Sequence, residues 1–255
     1  MFFDLDSLNL LLKGKNMSFN ISIEKLDDKG KRDRYEDAFT YWSEKDIKGN
    51  AFYCFAVADG VGGLDKGEAA SSIAIDEINH WAANTCRHLL TDKAVNLELE
   101  LTELLKQINK HIFCYGKKRN IKLGTTLTMI VIINDEGRIL QVGDSIAYLI
   151  EKRQAYRISD KHTQQKNHRS YLTSCIGTNE AVTLFQNQEI KLAAPSVLFI
   201  GSDGFFNCLD IQSHINLIEK GKNKKVLPTL LKSVRDAGET DNVTGILVRI
   251  KNGLI

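Results

Sequence analysis

The sequence predicts an α+β domain, two stacked antiparallel β-sheets with paired α-helices on the outer faces, an α-β-β-α sandwich. Three observations carry that prediction. Apolar runs of strand length follow one another at hairpin-length separations, which favours antiparallel pairing. The strong helical patterns come in pairs, one pair mid-chain and one near the end, rather than alternating with strands as crossovers do. No G-x-G-x-x-G follows a strand, which argues against a doubly wound dinucleotide fold.

In chain order, Phe19–Leu26 alternates with Phe19, Ile21 and Ile23 on one face, as a half-buried strand does. Asp27–Arg34 is a charged turn, and a strand resumes over Ala38–Trp42. Ala51–Ala58 (AFYCFAVA) is almost continuously apolar and halts at Asp59-Gly60. A helix over Glu68–Leu90 aligns Ala70, Ala74, Ile78, Trp81 and Ala82 on one stripe, and Leu97, Leu101, Leu104, Leu105, Ile108 and Ile112 mark a second. Strands fill Thr125–Ser159 as TTLTMIVII, RILQV, SIAYLIE and QAYRIS, with a turn over 134–137. Residues 160–180 read as a loop with short turns. Strands are expected at Leu184–Leu192 and Val197–Ile200, helices at Ile211–Lys220 and Lys225–Ala237, and a last strand at Val243–Ile250.

Composition sets the outer limits. A chain of 255 residues, 43% hydrophobic and 26% charged, suits one large domain better than two small ones. Thirty-four Lys and Arg against 32 Asp and Glu leave a net charge of +2, which offers no global field for nucleic acid or an anionic membrane. Five widely spaced cysteines without a C-x-x-C pair indicate neither a disulfide framework nor a zinc site, and suit a reducing compartment. The longest charge-free stretch, Leu123–Asn134, falls short of the ~20 residues of a membrane span. Residues 1–16 read as an N-terminal tail, disordered or upstream of a true start at Met17, because Asp4 and Asp6 stand where a signal peptide would be basic. Residues 17–255 then form the single domain, expected to be a cytoplasmic monomer.

The informative pattern is the placing of acids. Asp59 ends AFYCFAVA, Asp144 sits between RILQVG and SIAYLIE, Asp203 ends VLFIGS, and Asp241 precedes the final strand. Any one of these is ordinary turn chemistry. Four at the rims of buried strands are another matter. Brought together, each pair would repel by roughly 4 kcal/mol at 4 Å with an effective dielectric of 20. A divalent cation relieves that repulsion, and an all-oxygen set selects Mg²⁺ or Mn²⁺ over zinc. The six histidines show no metal-ligand spacing and read mostly as surface residues. Arg32 stands four and five residues before Glu36 and Asp37. It reads either as a surface ion pair or as a guanidinium placed to grip two phosphate oxygens.

Six segments now align with a known family. R-D-R-Y-E-D (32–37), V-A-D-G-V-G-G (57–63), G-T-T (124–126), V-G-D-S (142–145), S-D-G (202–204) and T-D-N-V-T (240–244) stand in the order and spacing of the metal-dependent type-2C serine/threonine protein phosphatases. From Phe19 to Ile250 the chain resembles that family, and its length is similar to the compact bacterial members. The resemblance implies two ions, Mn²⁺ or Mg²⁺. Asp59 would bridge them and the Gly60 carbonyl would bind one, while Asp203 and Asp241 complete the other and Glu36 and Asp37 support from outside. Arg32 would hold the phosphate, and a hydroxide between the ions would attack phosphorus in line. Phosphorylated proteins would be the substrates, opposed by a Ser/Thr kinase.

The departures from the family pattern are specific. Tyr35 replaces an Asn, Val61 a histidine of eukaryotic relatives proposed to protonate the leaving group, and Ile146 the Arg of G-D-S-R. Lys161-His162 replaces Asp-His and has no role assigned. Asn207 replaces an Asp, so Asp144 and Asn207 are candidates for a third, weaker ion. Asn207 alternatively serves only as a helix cap or turn residue. Two rival readings stand beside the phosphatase. One is an inactive phosphatase-like domain that binds phosphoproteins as a regulator, although Arg32, Asp59, Asp203 and Asp241 all survive. The other is a hydrolase of small phosphoesters.

Overall fold

A computed structural model describes residues 19–252 except 63, 93, 167–168 and 222–224, so the reading of residues 1–16 as a tail lies outside the described residues. The first sheet holds β1 (Phe19–Asp28), β6 (Ile146–Glu151), β7 (Gln154–Arg157), β11 (Ser196–Gly201) and β12 (Val243–Asn252), in the spatial order β1-β12-β11-β6-β7. The second holds β2 (Asp37–Lys45), β3 (Ala51–Asp59), β4 (Leu127–Ile133), β5 (Glu136–Val142) and β10 (Gln186–Lys191), in the order β10-β5-β4-β3-β2. Every pairing in them is antiparallel. Helices α1 (Gly67–Thr91) and α2 (Leu97–Arg119) cover the second sheet. The single turn α3 (Asp203–Phe206), with α4 (Ile215–Lys220) and α5 (Val226–Asp236), covers the first. The expected α-β-β-α sandwich is the observed one.

Its layering explains the apolar runs. In β3, Phe52, Cys54, Ala56 and Ala58 pack under α1 and α2, while Ala51, Tyr53, Phe55 and Val57 pack between the sheets. A strand buried on both faces has no polar side to alternate with, so its sequence reads as unbroken hydrophobicity. The same holds for β11, where Leu198 and Ile200 face the other sheet and Val197 and Phe199 face α4 and α5. Helix α2 is bounded by its own chemistry. The Asn96 side chain accepts from the amides of Glu98 and Leu99, and Asn120, at φ 54°, ends it in the left-handed region.

Two expectations fail locally. Within 160–180 the chain forms a hairpin, β8 (Thr163–Lys166) against β9 (Arg169–Leu172). TQQK is polar and mostly exposed, so the strand carries no apolar alternation to reveal it. The helix expected over Ile211–Lys220 is helical only from Ile215, because 211–214 form turns in which the Asp210 carboxylate accepts from the Gln212 amide. All five cysteines are free. Among the described residues no helix is long and apolar enough to cross a membrane.

Candidate functional site

The four strand-end acids meet on one rim, and strand direction brings them there. Asp59 is the last residue of β3 and lies opposite Asp37, the first of β2. Asp203 follows β11, whose last residue Gly201 pairs with Gly245 of β12, so Asp241 just before β12 comes to the same edge. Asp144 lies in the short link through which the chain leaves β5 in one sheet and enters β6 in the other. Gly60 continues β3 through a bridge to Thr125, and its N–H donates to the Glu36 carbonyl at 3.0 Å. A Cβ on Gly60 would stand 2.5 Å from the Gly67 backbone, so only glycine lets α1 begin this close to the site.

Arg32 rides on the loop between β1 and β2, and Asn242 fastens that loop. Its Oδ1 accepts the Glu36 amide at 2.7 Å, and its Nδ2 donates to the carbonyls of Lys29 at 2.8 Å and Arg34 at 3.1 Å. Arg32 Nη2 donates to Asp241 Oδ2 at 2.5 Å, with half of its side chain exposed. Arg32 thus forms an ion pair, and its partner is the candidate ligand Asp241 at the edge of the acidic cluster.

The carboxylates feel one another. Burial holds the Asp59 carboxyl well above the usual range, and the charges of Asp37, Asp203, Asp144 and Asp241 add to it. Burial also pushes Asp37 up to about 6; hydrogen bonding to Thr244 and Ser202 opposes this, and Asp203 and Asp241 reinforce it. Asp144 is raised to about 6 by burial and by Asp203, against the pull of Lys161. Asp203 is raised by burial and by Asp241, with relief from the Asn207 amide, whose Nδ2 donates to Asp203 Oδ2 at 3.3 Å. Glu36 is raised by burial and by Glu68. Asn207 also ends α3 and donates its backbone N–H to the Asp203 carbonyl at 2.8 Å, so its turn role and its contact with the site coexist.

This donor set fits hard divalent cations. It is all oxygen, its charges are stacked against one another, and the buried Asp37 Oδ2 has no hydrogen-bond partner. Among the described residues no three His, Cys, Asp or Glu side chains stand in ready-made ligand geometry. Asp241 is turned to Arg32, and Mg²⁺ keeps several waters, so few protein oxygens per ion are needed.

Beneath the acids lies a layer of buried hydroxyls that the sequence did not disclose. Thr126 Oγ1 accepts the Asp59 amide at 3.1 Å and lies 2.7 Å from Ser145 Oγ. Thr125 Oγ1 donates to the Asp59 carbonyl at 2.9 Å, and Tyr35 Oη lies 2.8 Å from Thr244 Oγ1. Ser202 Oγ accepts the Thr244 amide at 3.0 Å. Their only signal was membership of the quoted motifs R-D-R-Y-E-D, G-T-T, V-G-D-S, S-D-G and T-D-N-V-T, which assigned these hydroxyls no role. His162, to which the sequence assigned no role, is the buried exception among the described histidines, 5% exposed.

The sequence profile of the protein phosphatase 2C family matches residues 31–240. The chain belongs to that family. Within it, this phosphatase is a compact bacterial-type member. It is 25% identical over 213 residues to the serine/threonine phosphatase stp of Listeria monocytogenes, covering 75% of this chain and 82% of the relative. Among solved structures, serine/threonine phosphatase Stp1 from Staphylococcus aureus superposes with a TM-score of 0.77 at 24% identity, covering 92% of this chain and 97% of the other. A bacterial serine phosphatase gives the same TM-score at 22% identity, covering 92% of this chain and 100% of the other. These structural likenesses establish the shared fold.

Proposed function

We propose that this 2C-type phosphatase hydrolyses phosphoserine and phosphothreonine on proteins with Mn²⁺ or Mg²⁺ bound in the acidic rim. The observation that carries the reading is the meeting of Asp37, Asp59, Asp144, Asp203 and Asp241 at one edge, with Arg32 at its mouth. Asp59, the Gly60 carbonyl, Asp203 and Asp241 hold two ions, with Glu36 and Asp37 supporting them. Asp144 and Asn207 offer a weaker third place. Bound there, the ions supply a hydroxide nucleophile at neutral pH and neutralise phosphoryl charge.

The chain's own residues do the rest. Arg32 exchanges Asp241 for the phosphate, where its planar fork meets two oxygens at once. Asn242 keeps that loop in register, and the hydroxyl layer fixes Asp59 so that binding ions costs little rearrangement. The physiological partners are phosphorylated proteins and the Ser/Thr kinase that makes them, met in the cytoplasm by a monomer. Survival of Arg32, Asp59, Asp203 and Asp241 argues against an inactive regulator. The test is turnover of p-nitrophenyl phosphate, a phosphothreonine peptide and free nucleotides with Mn²⁺, with Mg²⁺ and with EDTA. Metal-dependent turnover favouring the peptide supports the proposal. Undiminished activity in EDTA removes the metal, and a preference for nucleotides makes the protein a small-phosphoester hydrolase.

A further inference from the structure

The side chain left without a role, His162, sits at one end of a buried polar chain that runs beneath the site. Its ring Nδ1 accepts the Gly143 amide at 3.1 Å, and its own amide donates to the Gly143 carbonyl at 3.0 Å. Accepting at Nδ1 places the proton of the neutral ring on Nε2. The His162 carbonyl accepts the Thr173 amide at 2.8 Å, which ties the residue to the end of β9.

Gly143 is therefore gripped at both of its backbone groups by one residue. It stands at φ +98°, where a Cβ would come within 2.6 Å of Thr126, so only glycine fits this turn. Gln141 holds the other side: its Nε2 donates to the carbonyls of Gly143 at 3.3 Å and Ser145 at 2.9 Å. From Ser145 the chain continues through Thr126 to the Asp59 amide. Gln141, Thr126 and Ser145 are all buried. Asp144 lies between the two gripped residues, and Asp59 lies at the chain's far end.

We propose that His162 is a positioning residue. By clamping both backbone groups of Gly143, it fixes the Asp144 turn and, through Ser145 and Thr126, the spacing of Asp144 from Asp59. It touches neither substrate nor the reacting atoms. A leucine at 162 fills much the same space but accepts nothing, which leaves the buried Gly143 amide unpaired. An asparagine offers Oδ1 close to where Nδ1 stands and keeps the bond.

The test compares wild type, His162→Leu, His162→Asn and Thr126→Val, the last cutting the same chain at its other end. Mn²⁺ binding is measured by calorimetry without substrate, beside melting in EDTA and kcat and KM for p-nitrophenyl phosphate. His162→Leu is expected to weaken Mn²⁺ binding about 10-fold and to lower kcat with KM little changed, the scale on which residues behind a metal ligand act. His162→Asn should restore most of both. Should the leucine variant not fold, Thr126→Val against His162→Asn carries the same comparison, the first weakened and the second near wild type. The proposal is overturned if a folded His162→Leu binds Mn²⁺ as wild type does, or if His162→Asn is as poor as leucine. The inference rests on the phosphatase reading only for its kinetic arm. Wild type that binds Mn²⁺ but turns nothing over would sink that reading, while the calorimetry still decides the clamp.

Discussion

A carboxylate whose pKa is higher in the folded chain than in the unfolded one binds its proton more tightly when folded. Its stabilising effect is full below the ordinary carboxylate value near 4 and is lost as pH rises through the folded value. For Asp37 and Asp144 that folded value is about 6, and Asp59 and Asp203 move the same way. In EDTA the melting temperature should therefore climb between about pH 7 and about pH 5, and saturating Mn²⁺ should flatten the slope. His162, lowered by burial, pulls oppositely, since its contribution is lost as pH falls through its folded value, but it is one group against five once Glu36 is included. Calorimetric scans across that range with and without metal check the sign. The same repulsion predicts that Asp59→Asn or Asp203→Asn melts no lower than wild type in EDTA yet loses roughly 10²–10³-fold in kcat, the scale of one charge-stabilising group. Arg32→Ala should raise KM while tightening Mn²⁺ binding, because the guanidinium competes for Asp241, and Arg32→Lys should rescue KM poorly. Asn207→Asp swaps a donor on Asp203 for a second charge, so it should lower the EDTA melting point and move the Mn²⁺ activation curve to lower concentration. Superimposable curves would leave Asn207 as a turn residue.

At the scale of elements, legibility followed burial. AFYCFAVA and VLFIG announced themselves because both of their faces are packed, and α2 because its apolar stripe meets one sheet, whereas its caps at Asn96 and Asn120 emerge only in the structure. The β8–β9 hairpin stayed hidden because nothing apolar anchors TQQK, and the onset of α4 because local side-chain bonds around Asp210 compete with helix. The site divided along the same line. Acids at strand ends stand out against apolar runs, so Asp59, Asp144, Asp203 and Asp241 were legible. The residues that hold them depend on partners far along the chain, as Asn242 does in reaching Lys29, Arg34 and Glu36, and no local pattern reports that. Asn242→Ala should therefore free the Arg32 loop, lowering kcat/KM for phosphopeptide several-fold more than it lowers Mn²⁺ affinity. Parallel kinetics and calorimetry would show whether the two losses separate. Gly60→Ala, forced against the Gly67 backbone, should cost about 1–3 kcal/mol in urea melts, the usual range for overpacking.

For the molecule as a whole, the layer between the sheets holds the two halves of the site at their distance. Phe55 is fully buried there among residues of both sheets, and Phe55→Ala should destabilise by about 3–5 kcal/mol in urea titration. Activity at low temperature should fall too, although the ring lies inside the core and not in the site. The order in which the chain visits the sheets has a consequence in time. It lays β1 in one sheet and β2 to β5 in the other, returns for β6 and β7, crosses again for β10 and comes back for β11 and β12. Neither sheet is a contiguous stretch, so neither can finish before the other is well advanced, and such non-local pairing is slow to form. Trp42 and Trp81 both pack in the layer beneath α1 and α2, and so watch one sheet only. Activity requires Asp59 from that sheet and Asp203 from its neighbour. After dilution from urea into Mn²⁺ buffer, tryptophan fluorescence should recover no later than turnover, and any lag between them is the time the first sheet, which brings Asp203, takes to arrive.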